Sequence, residues 1–142
     1  MCMMTVDSKR KIDKFKKDIG PKGLTVYKVV QNRYGKYYPI FQNEDISFET
    51  GPNEAIITKK IQTCTWINSC YLIYKSGFHF WTNKEDAEKY KEWQECWHFN
   101  SYKVIECTIK KSWITAMGKN EIDVNLYGQT VVTNKAIFPK CS

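Results

Sequence analysis

Features typical of membrane, secreted and disulfide-bonded proteins are missing from this sequence. No stretch approaches the roughly 20 consecutive apolar residues of a membrane-spanning helix. The N-terminal sequence MCMMTVDSKRK has no apolar core of the kind that a secretory signal contains. The six cysteines include no CxxC pair. We therefore expect a cytoplasmic protein that does not enter a membrane, with cysteines that remain reduced.

Arginine is also scarce, because only Arg10 and Arg33 occur among the 22 basic residues. Bidentate recognition of guanine favours arginine over lysine, so the sequence argues against sequence-specific DNA binding. The net charge is nevertheless +7, and residues 1–23 contribute +4 of it from seven basic and three acidic side chains. This segment is interpreted as an amphipathic helix that docks on the protein. The alternative is weak, non-specific binding of nucleic acid.

Motifs for catalysis and metal binding are absent as well. The sequence contains no GxSxG, no GxxxxGK[ST] and no HExxH. Four potential zinc ligands match none of the usual zinc-site spacings: Cys64, Cys70, Cys96 and His98. We therefore predict no metal site and no cofactor. Whether these four side chains approach one another in space is left open by the sequence.

The composition is that of a folded protein rich in aromatic residues. The 142 residues are 42% hydrophobic and 15% aromatic, which is too apolar for a disordered chain. This length is typical of one domain. We predict a single domain over residues 1–142, made of a basic helical segment at 1–23 and a sheet-plus-helix body at 24–142.

The most informative local pattern is SGFHFWTNKEDAEKY, residues 76–90. Bulky residues from Phe78 to Trp81 predict a short strand. Thr82 and Asn83 both suit the N-cap of a following helix, and the Thr82–Glu85 pair has the spacing of a capping box. The helix is predicted at about 83–97. One apolar face is expected to carry Ala87, Tyr90 and Trp97.

The remaining pattern predicts an α+β fold with a mostly antiparallel, twisted sheet, this one principal helix and a minor N-terminal helix. Ser8 is the expected cap of the minor helix, whose apolar positions are Ile12, Phe15 and Ile19. A loop is expected at Gly118-Lys119-Asn120, and residues 54–65 fit either a strand or a helical turn. The other strands are predicted at 24–31, 36–41, 46–48, 70–75, 102–110, 113–117, 124–127, 130–133 and 136–138.

Aromatic side chains near basic ones are the candidates for binding. Rings beside lysine or arginine can contact a partner protein or stack on a nucleotide. Loops carry recognition more often than regular elements do. The candidate contact residues are four in the turn after the first strand and three in the central unit: Arg33, Tyr34, Lys36, Tyr37, His79, Trp81 and Tyr90.

The string GFHFWTNKEDAEKY, with VYKVV upstream, resembles a group of small uncharacterised proteins, many of them from phages and other viruses. The matching residues are Gly77, Phe78, His79, Phe80, Asp86, Ala87 and Tyr90 in the first string and Val26 to Val30 in the second. The resemblance covers about half of the chain. It implies a viral or phage accessory protein and names no reaction.

A second resemblance is to the ADP-ribosyltransferase-like fold, in which a Gly-aromatic strand leads into a capped helix, as in residues 77–87. It implies an enzyme that uses NAD, with His79, Tyr90 and Gln129 as the residues around it. The sequence departs from that pattern at Tyr27-Lys28, where an arginine or histidine is expected. It departs again at Gln129, where a glutamate is expected.

Together these features favour a small, intracellular, non-enzymatic binding protein of viral or phage type. Its expected partner is a host protein or a nucleotide-like small molecule. The alternatives are the NAD-using enzyme and the weak nucleic-acid binder.

Overall fold

The predicted α+β fold is confirmed by a computed structural model, which contains an open antiparallel sheet of eight strands, one main helix and a smaller N-terminal helix. For residues 60–65 and 70–75 only the backbone is described. Neither described helix has the length and apolar character that crossing a membrane requires. The described residues are Met3, 5–40, 47–54, 60–65, 70–75, 77–98 and 100–141.

The described chain contains two α-helices, ten strands and one short 3-10 turn. The helices are α1 (Lys9–Lys17) and α2 (Lys84–His98), and the 3-10 turn spans Lys111–Trp113. The strands are β1 (Leu24–Arg33), β2 (Lys36–Pro39), β3 (Gly51–Glu54), β4 (Lys60–Thr65), β5 (Cys70–Lys75), β6 (Phe78–Trp81), β7 (Lys103–Ile109), β8 (Ile114–Asp123), β9 (Leu126–Thr133) and β10 (Lys135–Phe138). The open question at 54–65 is thus answered in part, because a strand begins at Lys60.

The main sheet has the strand order β3-β10-β7-β1-β6-β9-β8, and β2 pairs with β1 beside β6. All of its pairings are antiparallel. β1 is the central strand. It pairs with β7 from Leu24 to Val30, but with β6 only where Tyr27 lies opposite Trp81. β4 and β5 form a separate two-stranded sheet.

Side chains alternate between the two faces of the sheet, and each face carries one helix. The first face, called the α1 face, packs Ile12 and Phe15 of α1 against a cluster that includes Val26, Phe80 and Val131. The second, called the α2 face, packs helix α2 against Val29, Trp81 and Ile122 through two helix residues, Ala87 and Tyr90. The core is therefore divided into two layers by the sheet.

The N-terminal segment is bound to the free edge of the sheet. The amides of Thr5 and Asp7 donate to the carbonyl oxygens of Lys119 and Met117 on β8, at 3.3 and 2.7 Å. Ser8 then caps α1 as expected, because its hydroxyl accepts from the amide of Lys11 at 3.3 Å. The basic helix docks on the α1 face through Ile12 and Phe15, and Ile19, just beyond the end of the helix, is buried in the same face.

Two predictions in the C-terminal half are wrong. Gly118-Lys119-Asn120 is not a loop but the middle of β8. A Cβ atom at residue 118 would collide with the carbonyl oxygen of Thr5, so glycine is required there by the close approach of the N-terminal segment. The break expected near Gly128 lies instead at Val124-Asn125, where Asn125 has a φ of +59°.

The structure decides between the two candidate caps of the central unit and contradicts the expected burial of Trp97. Asn83 rather than Thr82 caps α2, since the amide of Glu85 donates to the Asn83 side-chain oxygen at 2.8 Å. The Thr82 hydroxyl instead donates to the carbonyl oxygen of Gln129 at 3.3 Å. Trp97, expected on the buried face, is 64% exposed, and the buried positions of α2 are Ala87, Tyr90 and Gln94.

Candidate functional site

The strands β1 and β6 separate just beyond their single paired position. Tyr27 pairs with Trp81, and β1 pairs with β2 from Val30 onward. Lys28 and Val29 therefore have no ladder partner on this side among the described residues. The Lys28 ammonium lies in the gap and donates to the carbonyl oxygen of His79 at 2.9 Å. The carbonyl oxygen of His79 thus accepts a hydrogen bond from the Lys28 side chain, at a position where continued pairing of β1 with β6 would supply a backbone amide.

A small cleft occupies this separation and is called the β1–β6 cleft. It has a volume of about 40 Å³. Three of the sequence candidates meet in it, because His79 and Trp81 of β6 face Tyr90 of α2. Its walls include Lys28, Pro39, Ile40, His79, Trp81 and Tyr90.

His79 is buried and uncharged. Its Nδ1 lies 3.1 Å from the carbonyl oxygen of Gly77, so this nitrogen carries the proton and donates. Burial, and then the nearby charge of Lys28, lower the pKa of His79 to about 3. A general base works best when its pKa is close to the pH of the reaction. His79 therefore serves the structure as a neutral hydrogen-bond donor and is poorly suited to acid–base catalysis.

Lys28 is the cation of the cleft. By alternation it belongs to the α1 face with Val26, and its Nζ lies 5.4 Å from the centre of the Phe80 ring and 5.8 Å from that of Phe48. Burial lowers the pKa of Lys28 to about 8, and the Cys107 thiol nearby opposes this shift. Burial likewise raises the pKa of Cys107 to about 12, so that thiol is protonated and unreactive.

Tyr90 connects the cleft to the helix. Its ring lies 5.2 Å from that of Trp81, centre to centre, in a tilted arrangement typical of packed aromatic pairs. Burial, and then Tyr102, raise the pKa of Tyr90. Its phenol stays protonated at any ordinary pH, which makes it a hydrogen-bond donor and not a base.

Gln129 is not part of the cleft. His79 pairs with Val132 on β9, so alternation places the Gln129 side chain on the opposite face of the sheet. Its amide nitrogen donates to a side-chain oxygen of Asp7 at 3.0 Å and to the carbonyl oxygen of Gly118 at 3.1 Å. The trio of His79, Tyr90 and Gln129 proposed for NAD chemistry is therefore not assembled at one site.

The β1–β2 hairpin carries the remaining candidates. Arg33 pairs with Lys36, which leaves a two-residue turn of Tyr34 and Gly35 with φ values of +53° and +71°. Tyr34 is 97% exposed. Arg33, Tyr34, Gly35 and Lys36 all lie exposed and are together called the hairpin tip.

Tyr37 and Tyr38 follow the hairpin tip along β2, and they differ from it in burial and partners. Tyr37 is buried in the core of the α1 face, and its hydroxyl accepts from the Lys103 ammonium at 3.4 Å. It is therefore a core residue and not a contact residue. Tyr38 stays partly exposed and supports Arg33, whose guanidinium carbon lies 4.3 Å from the centre of its ring.

Sequence reasoning missed two features. The first is Lys28. Strand alternation puts this residue on the same face as Leu24, Val26 and Val30, so the sequence does indicate a charge on a core face. The second is a set of exposed apolar residues beyond the predicted sites: Trp97, Val124, Leu126 and Tyr127.

No metal site is formed by the described residues, which contain no cluster of three or more His, Cys, Asp or Glu side chains suited to a metal ion. Cys96 and His98 lie exposed at the end of α2. The side chains of Cys64 and Cys70 lie outside the part of the chain whose side chains are described. The possible approach of these two cysteines to Cys96 and His98 is therefore a matter of sequence alone.

Comparison with known proteins adds no relative to these observations. No protein-family model matches this chain, and no curated protein or solved structure does either. Function is therefore inferred from the β1–β6 cleft and the hairpin tip alone.

Proposed function

We propose that this is a non-enzymatic protein-binding domain that recognises its partner through the hairpin tip. One observation carries the proposal: Tyr34 is 97% exposed and is held at a φ of +53°. That conformation is unfavourable for a residue with a bulky side chain. Backbone strain of this kind collects at sites where the position of a side chain is needed for function.

The chemistry of the hairpin tip suits a protein interface. Tyrosine and arginine dominate the binding energy of many interfaces, because they combine a large contact area with hydrogen-bonding ends. Tyr34 also has only two side-chain torsions to immobilise, so its ordering on binding costs little entropy. Arg33, the neighbour of Tyr34 in the chain, is supported by the Tyr38 ring, whose centre lies 4.3 Å from the guanidinium carbon.

Charge indicates the character of the partner surface. Arg33 and Lys36 flank Tyr34, and the chain as a whole carries +7. A partner with an acidic rim around a pocket for one aromatic ring complements this surface. If the chain has the viral or phage source that its sequence pattern suggests, that partner is a host protein.

The size of the cleft supports a protein partner over a nucleotide. The β1–β6 cleft has a volume of about 40 Å³. Small-molecule sites typically measure roughly 300–1,000 Å³. The low pKa of His79, about 3, also gives the enzyme alternative no base at this position.

Site-specific photo-crosslinking tests the proposal. Benzoylphenylalanine is introduced at Tyr34 in one variant and at Tyr127, another exposed tyrosine on a different hairpin, in a control. We expect position 34 to crosslink one discrete protein in extracts of the cells that contain this chain, and position 127 not to. Excess unmodified protein should compete, whereas excess Tyr34→Asn should not.

The same extracts separate the alternatives. Crosslinking that nuclease treatment abolishes would support the nucleic-acid alternative, and label transferred from radioactive NAD would support the enzyme. Either result, or the same set of products from positions 34 and 127, would contradict recognition of a protein through the hairpin tip.

A further inference from the structure

Among the described residues, the partly buried ammonium of Lys28 has no anionic partner. None of the ion pairs among the described residues includes it. Its hydrogen bond goes to a neutral acceptor, the carbonyl oxygen of His79, at 2.9 Å. An ammonium has three hydrogens to donate. A charge removed from water is costly unless it is paired, so this arrangement leaves a need for negative charge.

The surroundings of Lys28 offset this cost only in part. The Phe80 and Phe48 rings lie 5.4 and 5.8 Å from Nζ, within the range of a cation–π contact. The titratable groups that interact with it are Cys107 on β7 and His79 on β6, and Tyr90 of α2 lines the same cleft from the α2 face. All three are neutral near pH 7, because burial raises the pKa of Cys107 and Tyr90 and lowers that of His79.

The cleft beside this cation has room for a small ion. One water needs ~10–15 Å³ of such space, and the β1–β6 cleft offers about 40 Å³. Val29, Pro39 and Ile40 supply apolar wall, which discriminates against large or strongly hydrated ions.

We propose that the β1–β6 cleft binds one small monovalent anion, of the size of chloride or formate, through the ammonium of Lys28. This site is separate from the hairpin tip and does not depend on the function proposed for it. The bound anion would neutralise the buried charge and hold β1 and β6 together where their backbones do not pair.

Titration with chloride tests the proposal. Thermal unfolding is followed while sodium chloride replaces sodium gluconate at constant ionic strength, since gluconate is too large for the cleft. We expect a saturable increase in the midpoint with chloride and with formate, and none with sulfate. Lys28→Met should lose the increase. The matched control Lys103→Met should keep it, because Lys103 is another partly buried lysine near an aromatic ring.

A second measurement on the unmodified protein covers the case in which Lys28→Met does not fold. Lysine side chains labelled with ¹⁵N are titrated by NMR in gluconate and in chloride. One lysine should titrate well below the others in gluconate, and its pKa should rise in chloride. The proposal is overturned if chloride neither stabilises the protein nor moves that pKa, or if Lys28→Met responds to chloride as the unmodified protein does.

Discussion

At the scale of single residues, burial decides what the polar groups of the cleft can do. His79 has the residue type of a catalytic base, yet its pKa falls to about 3 because it is buried beside Lys28. Its Nδ1 proton is committed to the carbonyl oxygen of Gly77, 3.1 Å away. The residue therefore stabilises the folded state as a neutral donor.

A prediction for acid stability follows from this shift. The unfolded chain binds a proton at His79 near pH 6.5 and the folded chain only near pH 3. The contribution of His79 to the free energy of unfolding is thus fully present above pH 6.5 and is lost progressively as the pH falls from 6.5 toward 3. The contribution of this one group approaches about 1.4 kcal/mol per pH unit.

The prediction is checked by urea unfolding between pH 7 and pH 4. His79→Asn keeps a nitrogen donor for Gly77 and has no proton to gain, so the free energy of unfolding should fall less steeply with acid. His98→Asn is the control, since that histidine lies exposed at the end of α2. Equal slopes for His79→Asn and the unmodified protein would rule out this account of His79.

Residue identity alone singles out three of the side chains that line the cleft. His79, Trp81 and Tyr90 were singled out by sequence, and the fold brings them to one cleft. Lys28 was passed over, although its place in the alternating strand LTVYKVVQ put a charge on a core face. Tyr34 and Tyr37 lie three residues apart in one segment of basic and aromatic residues, so sequence alone does not distinguish them. Only the strand register shows that the Tyr37 ring is buried and the Tyr34 ring exposed.

At the scale of elements, the strands and helices with clear periodicity were predictable. The β6–α2 unit and β7 follow from side-chain pattern and capping residues. β8 was not predictable in full, because its glycine reads as a chain break in the sequence. Gly118 pairs with Thr130 of β9 as an ordinary strand residue, and it must be glycine because Thr5, more than a hundred positions earlier, passes directly over it.

Substitution of Gly118 should therefore detach the N-terminal segment from β8. In Gly118→Ala the new Cβ would occupy the place of the Thr5 carbonyl oxygen. Overpacking of this kind costs ~1–3 kcal/mol. Hydrogen exchange should show lost protection of the Thr5 and Asp7 amides, which bind the carbonyl oxygens of β8.

Gly20→Ala is the matched control, since nothing lies within 4 Å of a Cβ placed there. It should leave both the exchange pattern and the free energy of unfolding nearly unchanged. If the Thr5 and Asp7 amides stay protected in Gly118→Ala, the N-terminal segment is not held by this close approach.

At the scale of the whole molecule, the aromatic residues differ in where the fold places them. Most of the described rings fill the two layers that α1 and α2 cover, while Tyr34 projects from the end of the β1–β2 hairpin. The separation of β1 from β6 depends on the pairing of β1 with β2 and β7 at once. Local sequence pattern carries no information on such long-range pairings, so the cleft could not be foreseen.

Recognition through the hairpin tip should oppose the stability of the molecule. Asparagine tolerates the backbone conformation of Tyr34 better than tyrosine does, and Asn-Gly is a preferred sequence for such a turn. The side chain of Tyr34 is 97% exposed, so its loss removes little packing. Tyr34→Asn should therefore raise the free energy of unfolding by up to ~1 kcal/mol.

The most direct test combines both properties of this one variant. The dissociation constant for the protein crosslinked at position 34 is measured for the unmodified chain and for Tyr34→Asn, beside the unfolding free energy of each. Loss of an interface anchor should weaken binding at least about tenfold, while the domain itself becomes more stable. An unchanged dissociation constant would contradict the role of Tyr34 in recognition.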